Sequence, residues 1–395
     1  MNILVTNAKN RIAYNILKSL SVKGHHVYCA DFIPKSMSFY SRYSSGHFLY
    51  PSPFREQEKF VACLIEKISE LKIDVLIPVF EELFLVSRHL DEISRHVKLV
   101  VPDYQQILIA HNKDKWAPIA RQLNISVPVT CSLTEFDKDS ALVDRLIFPV
   151  LLKPKQGGGG WGISQVDTVG ELQNILSVGV HCALPLERFI VQQKITGEVI
   201  CVAMVFNQGK LRGKTAYRQI REYPIFGGQA TCRISVSCKA AEDNLQALLE
   251  HFVWHGVCQA DFIVDSDTGE PYLIDINPRF WGSLAQGIAS GVDFPDLVCR
   301  IAINGDVEPV VGFTVGVKTR WLGGELRGFF QHYARAANKL VFLREFFMSQ
   351  VPVARFDDFS FNDPFPFIIW GWDSLTRIVR YNHSKPHDSL AGVWE

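Results

Sequence analysis

A parallel-sheet α/β domain followed by an α+β region is the architecture this sequence predicts. Three observations predict it. The first hundred residues alternate apolar, strand-like runs with amphipathic stretches in the order βαβα, which is the rhythm of a sheet covered by helices on both faces. From about residue 110 the strand-like runs come in antiparallel pairs with helices between them. The chain is also long, 395 residues with 47% hydrophobic content, enough for two or three domains with buried cores.

The elements follow in order. "NILVTN" reads as a buried strand, 11–22 as a helix ending at Gly24, and "HVYCAD" as a second strand with Asp31 at its carboxyl end. Residues 55–71 read as a helix, "DVLIPV" as a strand, 82–95 as a helix and "KLVVP" as a strand. A helix from about Asp114 to Leu123 leads to "NISVPVT", then "FPVLLKP", a glycine run and "GISQV". "DTVGELQNIL" opens a helix, with Thr168 and Glu171 at capping-box spacing. Residues 189–206 and 210–217 read as strands around the turn "NQGK", and 241–255 as a helix. "GVCQADFIVDSDTGEPYLIDINP" reads as a hairpin with an Asp-Thr-Gly turn. The expected domain limits are 1–110, 111–190, 191–310 and a C-terminal extension over 311–395.

Composition narrows the function classes. Charged residues make up 21% and the formal net charge is zero, which argues against a nucleic-acid partner. Nine cysteines are scattered, odd in number and without a C-x-x-C pair. They read as reduced, mostly buried thiols of a cytoplasmic protein. The start "MNILVTNAKNRIAYNIL" lacks the pattern of a signal peptide, and no apolar run approaches the roughly 20 residues that span a bilayer. The first strand-to-helix turn, "TNAKNRIA", has no glycine. The first domain is therefore Rossmann-like in rhythm but lacks the dinucleotide fingerprint. It reads as a wall of the site.

"LLKPKQGGGGWGISQV", residues 151–166, carries the first chemical signal. Gly157, Gly159 and Gly162 satisfy G-x-G-x-x-G, but strand-like "ISQV" follows where a helix would have to open. Walker's Gly-Lys-Ser/Thr is absent too. The run thus reads as a hairpin tip. Such tips fold over nucleotide phosphates, with backbone N–H groups approaching the oxygens and a lysine in the preceding strand supplying charge. A mobile surface hairpin without a ligand is the alternative. No H-R-D or D-F-G occurs, which removes a protein kinase.

Metal-binding carboxylates are then sought elsewhere, and "QADFIVDSDTGEPYLIDINPRF" offers them. Asp261 lies in one strand of the hairpin. Asp275 and Asn277 lie two apart in the other and so share a face. Two carboxylates and an amide oxygen are hard ligands suited to Mg²⁺, which also takes phosphate oxygens. Arg279 follows on that face and suits a transferring phosphoryl group or a carboxylate. The alternative is a solvated turn with Asp275 as a strand-end cap. Acids buried in "YLIDINP" without a partner are costly, which favours the metal.

In this order and spacing, these residues resemble the ATP-grasp superfamily over about residues 1–306. The resemblance implies a Rossmann-like pre-ATP-grasp domain followed by an ATP-grasp fold of two α+β subdomains. It places Lys115 of "DKWAPIARQLNISVP" on the nucleotide and Lys153 on the phosphates, the latter also in a catalytic role. Gly157, Gly158, Gly159 and Gly160 form the flap over them. The backbone of Gln193 and Ile195 in "FIVQQKITGEV" meets the adenine edge, and Glu198 matches the acid after that hinge. Asp261, Asp275 and Asn277 hold Mg²⁺, or Mn²⁺ in its place. Asp275 stands where the family usually has Glu, which bears on the number of metals. "IDINPRFWGSLAQGIASGVDFPDL", "RQIREYPIFGGQAT" and "FNDPFPFI" are similar to a branch of carboxylate–amine ligases. In that branch ATP phosphorylates a small-molecule carboxylate, Arg279 steadies the charge, and an amine displaces phosphate to form an amide. A closed flap keeps water from the acyl phosphate.

Arg218, Arg221 and Gly228 read either as an anion site or as a solvated strand edge. Trp281 reads either as pocket lining or as core. His251 and His255 have zinc-like spacing without the Glu of H-E-x-x-H, and read as a structural pair. "FPFIIWGW" reads as core or as a lid. Two other functions compete with the ligase. One is a bicarbonate-activating carboxylase of the same superfamily, for which no A-M-K-M biotin segment is present. The other is a non-catalytic nucleotide-binding module.

Overall fold

In a computed structural model, which describes residues 1–133, 146–155, 162–178, 186–225, 227–310, 312–348 and 355–381, the apolar runs of the first third line up in parallel. Strands β1 (Asn2–Val5), β2 (His26–Asp31), β3 (Gly46–Leu49) and β4 (Val75–Ile77) form one sheet in the order β3-β2-β1-β4. All its pairings are parallel. Strand order therefore reverses at β1, with β2 and β3 to one side and β4 to the other. Helix Arg11–Ser21 starts at Asn10, whose side chain accepts from the Ile12 N–H. The strand expected at "KLVVP" reduces to one bridge between Val75 and Lys98. The run ends at Pro102, which has no N–H to extend a ladder. Strand β3 was not anticipated, because it is short and only partly buried.

A second, antiparallel sheet runs β5-β8-β6-β7, from β5 (Thr130–Ser132), β6 (Val150–Pro154), β7 (Ser164–Val166) and β8 (Phe189–Gln193). It packs on helix Val169–Val178. At that helix start the Thr168 hydroxyl accepts from the Glu171 N–H at 3.2 Å, and the Glu171 carboxylate accepts from the Asp167 N–H at 2.9 Å. Leu133, Val150, Leu152, Val166, Leu172 and Phe189 make its core, which shares no residue with the other large cores among the described residues.

The third sheet has seven strands in the order β13-β12-β9-β10-β11-β14-β15. They are β9 (Gly197–Asn207), β10 (Lys210–Tyr223), β11 (Gln229–Ser235), β12 (Gly256–Asp265), β13 (Pro271–Asn277), β14 (Lys318–Arg320) and β15 (Arg355–Phe356). The run 189–206, expected as one strand, divides between two sheets at 194–196. Gly197 lets β9 meet β12 at its first rung, since a Cβ there would lie 1.9 Å from the Val264 carbonyl oxygen. Along β9, Ile200, Val202, Met204 and Phe206 face a core that includes Trp116 and Leu248. Cys201, Ala203 and Val205 face a core shared with Val5 and Ile16 of the first domain. The parallel sheet and the seven-stranded sheet thus rest on common packing.

Among the described residues the chain crosses into the second sheet at 126–129, from helix Lys113–Gln122, and out of it to the third sheet at 194–196. The crossings are joined where the Gln193 N–H donates to the Val129 carbonyl at 2.8 Å. Beyond them, the Ser126 carbonyl accepts from Leu273 N–H at 2.9 Å and the Thr196 carbonyl accepts from Ser266 N–H at 3.0 Å.

The tail is not a separate layer, since β14 and β15 extend the seven-stranded sheet. Asp357 follows β15 and is buried against the Arg233 guanidinium, with Arg11 Nε 3.5 Å away. Asp358 accepts from the N–H groups of Leu322 and Gly323, at 3.0 and 2.9 Å, at the start of helix Leu322–Arg335. "FPFIIWGW" begins helix Phe365–Tyr381. Among the described residues no helix is long and apolar enough to cross a membrane.

Candidate functional site

The hairpin puts its polar residues on one face. Asp261 on β12 lies directly opposite Asp275 on β13, and Gln259 lies opposite Asn277. Asn277 donates to Gln259 Oε1 at 2.9 Å and Gln259 donates to Asp261 Oδ1 at 2.6 Å. The alternating residues Ala260, Phe262, Leu273 and Ile276 enter the core on the far side. Burial raises the pKa of Asp261, and the neighbouring Asp275 charge raises it further. Two carboxylates held side by side this way are relieved by a cation.

Cations do reach them. Lys113 Nζ lies 2.7 Å from Asp275 Oδ1, from the first turn of helix Lys113–Gln122. Lys153 projects from β6 of the second sheet, and its ammonium donates to Gln192 Oε1 at 2.7 Å. Burial pulls the Lys153 pKa down to about 8, with the Lys113 charge acting in the same direction and Asp275 opposing it. Lys113, Lys153 and Asp275 therefore sense one another across the gap between two sheets.

The helix phase gives the two lysines of "NKDK" different surroundings. Lys115 is exposed on the same helix, and it is Lys113, two residues earlier, that the structure brings to the acidic pair. "NKDK" offers both lysines, and only the helix start at Asn112, whose side chain accepts from the Asp114 N–H, selects between them. Gln192, Gln259 and His111 were also missed. His111 lies half-buried against Phe84, and desolvation lowers its pKa to about 4, so it is neutral there.

Arg279 leaves the end of β13 and lies over the Phe80 ring, 4.2 Å from its centroid, while donating to the Phe280 carbonyl. Burial lowers its pKa, and Glu81, Asp275, Glu82 and Asp261 oppose that pull. Gln193 ends β8 beside Val150 and Ile195 is buried in the crossing segment. Glu198 is exposed and ion-paired with Arg218. Gly157, Gly158, Gly159 and Gly160 lie outside the described residues. The strand leading to them is anchored, since Lys155 Nζ lies 3.5 Å from Asp114.

The remaining candidates have structural partners. Arg221 grips Glu325 through three contacts of 2.8–3.2 Å. A Cβ at Gly228 would fall 2.1 Å from the Pro224 carbonyl oxygen, so this glycine permits a close backbone crossing. Trp281 is core, stacked near Phe280 and edge-on to Phe294. Helix Lys239–His251 ends before His255, so the two histidines do not share a helix face.

Asp261, Asp275 and Asn277 fit a hard divalent cation in kind and placement. No group of three His, Cys, Asp or Glu side chains placed to hold a metal occurs among the described residues. A cation here would complete its shell with phosphate oxygens or water, the habit of Mg²⁺. Buried lysines facing paired carboxylates make a site for a polyphosphate carried with its metal.

Residues 110–283 match the family model of the ATP-grasp domain. The chain is 33% identical over 108 residues to formate-dependent phosphoribosylglycinamide formyltransferase of Prochlorococcus marinus. That stretch covers 27% of this chain and 27% of that protein. Among solved structures, the biotin carboxylase domain of Hydrogenobacter thermophilus 2-oxoglutarate carboxylase, in complex with MgADP, ADP and bicarbonate, superposes with a TM-score of 0.64 at 15% identity. It covers 80% of this chain and 73% of that one. L-amino acid ligase from Bacillus licheniformis gives 0.60 at 17% identity, covering 78% of this chain and 75% of that one.

Proposed function

We propose, with an ATP-grasp domain at residues 110–283 as the premise, that this chain is an ATP- and Mg²⁺-dependent ligase. It activates a small carboxylate as an acyl phosphate and joins it to an amine, with an amino acid among its substrates. The observation that carries the reading is the Lys113–Asp275 contact at the paired carboxylates of the hairpin, with the buried Lys153 feeling the charges of both residues. The chain divides accordingly. Residues 1–110 form a Rossmann-like substrate wall, 111–190 the small ATP-grasp subdomain, 191–310 the large one, and 311–395 an extension that completes its sheet.

In this reading the backbone of Gln193 and Ile195 holds the adenine edge. Lys115 meets the nucleotide and Lys153 the phosphates, and Lys113 joins them by exchanging its partner Asp275 for a phosphate oxygen. Asp261, Asp275 and Asn277 would hold Mg²⁺, which would supply charge neutralisation to the phosphates. Arg279, fixed against Phe80, stabilises charge on the transferring phosphoryl group. The glycine flap of residues 157–160 excludes water from the acyl phosphate.

A pH dependence follows from Lys153. Its pKa is lowered to about 8, and the charged form binds phosphate. The cation is therefore present below pH 8 and lost above it. kcat/KM for MgATP is expected to be flat below pH 8 and to fall by about tenfold per unit above it. A flat profile to pH 10 would remove Lys153 from phosphate binding.

The deciding experiment measures ADP and phosphate release with MgATP against pooled carboxylic and amino acids, with hydroxylamine present. Carboxylate-dependent release with hydroxamate formation supports the ligase. Release with bicarbonate alone replaces it with a carboxylase. Tight ATP binding without release from any pool replaces it with a nucleotide-binding module.

A further inference from the structure

One half-buried carboxylate beside the site keeps an oxygen that no hydrogen-bond donor meets. Glu81 Oε2 is shielded from solvent and accepts no hydrogen bond. It lies in the segment that leaves the carboxyl end of β4, next to the segment that leaves β1. Strand order reverses between those two strands. Ligands of open α/β sheets gather in the crevice at that point.

The local construction separates Glu81 from its neighbour. Glu82 is consumed by structure. It accepts from the Thr6 hydroxyl, from the N–H groups of Val79 and Phe80 at 3.0 and 3.2 Å, and from Asn7 Nδ2 at 3.3 Å. These bonds pin the two segments together. Glu81 takes part in none of these bonds; burial raises its pKa, Arg279 opposes that rise, Glu82 adds to it and Lys9 opposes it. Arg279 stacks on Phe80, the residue just before Glu81, and also senses Asp275 and Asp261. Glu81 thus shares with Asp275 and Asp261 of the hairpin the charge of Arg279. An unpartnered buried carboxylate is costly unless a donor arrives.

We propose that Glu81 is the residue that binds the amine substrate, holding its ammonium group and taking a proton from it. With Lys9 nearby to meet a carboxylate, the amine of an amino acid suits the pocket. The inference rests on the ligase reading above. One ammonium N–H bond breaks toward the Glu81 carboxylate, and the freed lone pair forms the C–N bond at the acyl carbon. The C–O bond to phosphate then breaks. Phosphate leaves with that electron pair and the second proton of the nitrogen.

The test compares wild type, Glu81→Gln and Glu81→Asp with MgATP and each of the twenty amino acids, measuring amide and hydroxamate products side by side. Hydroxylamine is largely uncharged at neutral pH, so it depends less on a carboxylate to hold or deprotonate it. Glu81→Gln is expected to lower the amide-to-hydroxamate ratio by about tenfold or more, through a higher KM for the amine. Glu81→Asp should recover part of it. Thermal stabilisation by MgATP reports whether the Gln variant is folded, and the Asp variant decides if it is not. An unchanged ratio overturns the proposal, as does an equal fall of both products, which would make Glu81 a support for Arg279. Absence of hydroxamate from wild type with every carboxylate overturns the ligase reading itself.

Discussion

Replacing Asp275 with alanine is expected to lower carboxylate-dependent ADP release by about a hundredfold to a thousandfold. ATP should still bind, more weakly. The side chain sits opposite Asp261 and takes Lys113 at 2.7 Å, so its loss removes half of the paired carboxylates and frees a buried cation. Lys113, Lys153 and the backbone of the crossing segment remain to hold the nucleotide. The measurement is a steady-state assay paired with ATP binding by calorimetry. Turnover within about twofold of wild type would sink the metal assignment. Loss of binding and turnover in equal proportion would make Asp275 a general support of the ATP pocket.

Asp357→Ala should produce the largest stability loss. The Arg233–Asp357 pair is fully buried, and Arg11 adds a third charge 3.5 Å from the carboxylate. Removing the acid leaves two arginines in the interior with one acceptor fewer. Breaking a buried pair from one side costs about 3–5 kcal/mol. Asp357 is also far along the chain from both arginines, so the loss loosens the tail from the first helix as well as from the sheet. Urea unfolding monitored by fluorescence checks this. A shift below about 1 kcal/mol would show that the arginines find water or other acceptors instead.

How far the sequence reached can be judged from particular residues. The hairpin was legible because period-two spacing alone puts Asp275 and Asn277 on one face, and the observed register brings Asp261 opposite Asp275. Lys153 was legible because it ends a strand before a glycine run. The Lys113–Asp275 contact was not, because which lysine of "NKDK" reaches Asp275 depends on the helix phase, and the phase is set by the Asn112 cap. Glu81 was not, because adjacent acids after a strand look alike until Thr6 and Asn7, brought near from the first strand, engage one of them. Strand β11 was passed over as well. It gains its place from pairing with β10 and β14. The Arg233–Asp357 contact joins positions 124 residues apart, and no local pattern announces such a pair.

The two crossings into and out of the second sheet have a mechanical consequence. They run side by side and are stapled to each other through Gln193 and Val129. A body attached by two neighbouring straps behaves like a door with both hinges on one post. Such a mounting favours swinging over sliding, and the Lys155–Asp114 pair is the latch opposite the hinges. The post itself stands on the acidic hairpin, because Leu273 anchors one strap and Ser266 the other. A displacement of the lysine-bearing sheet would therefore pull directly on the strands that carry the carboxylates.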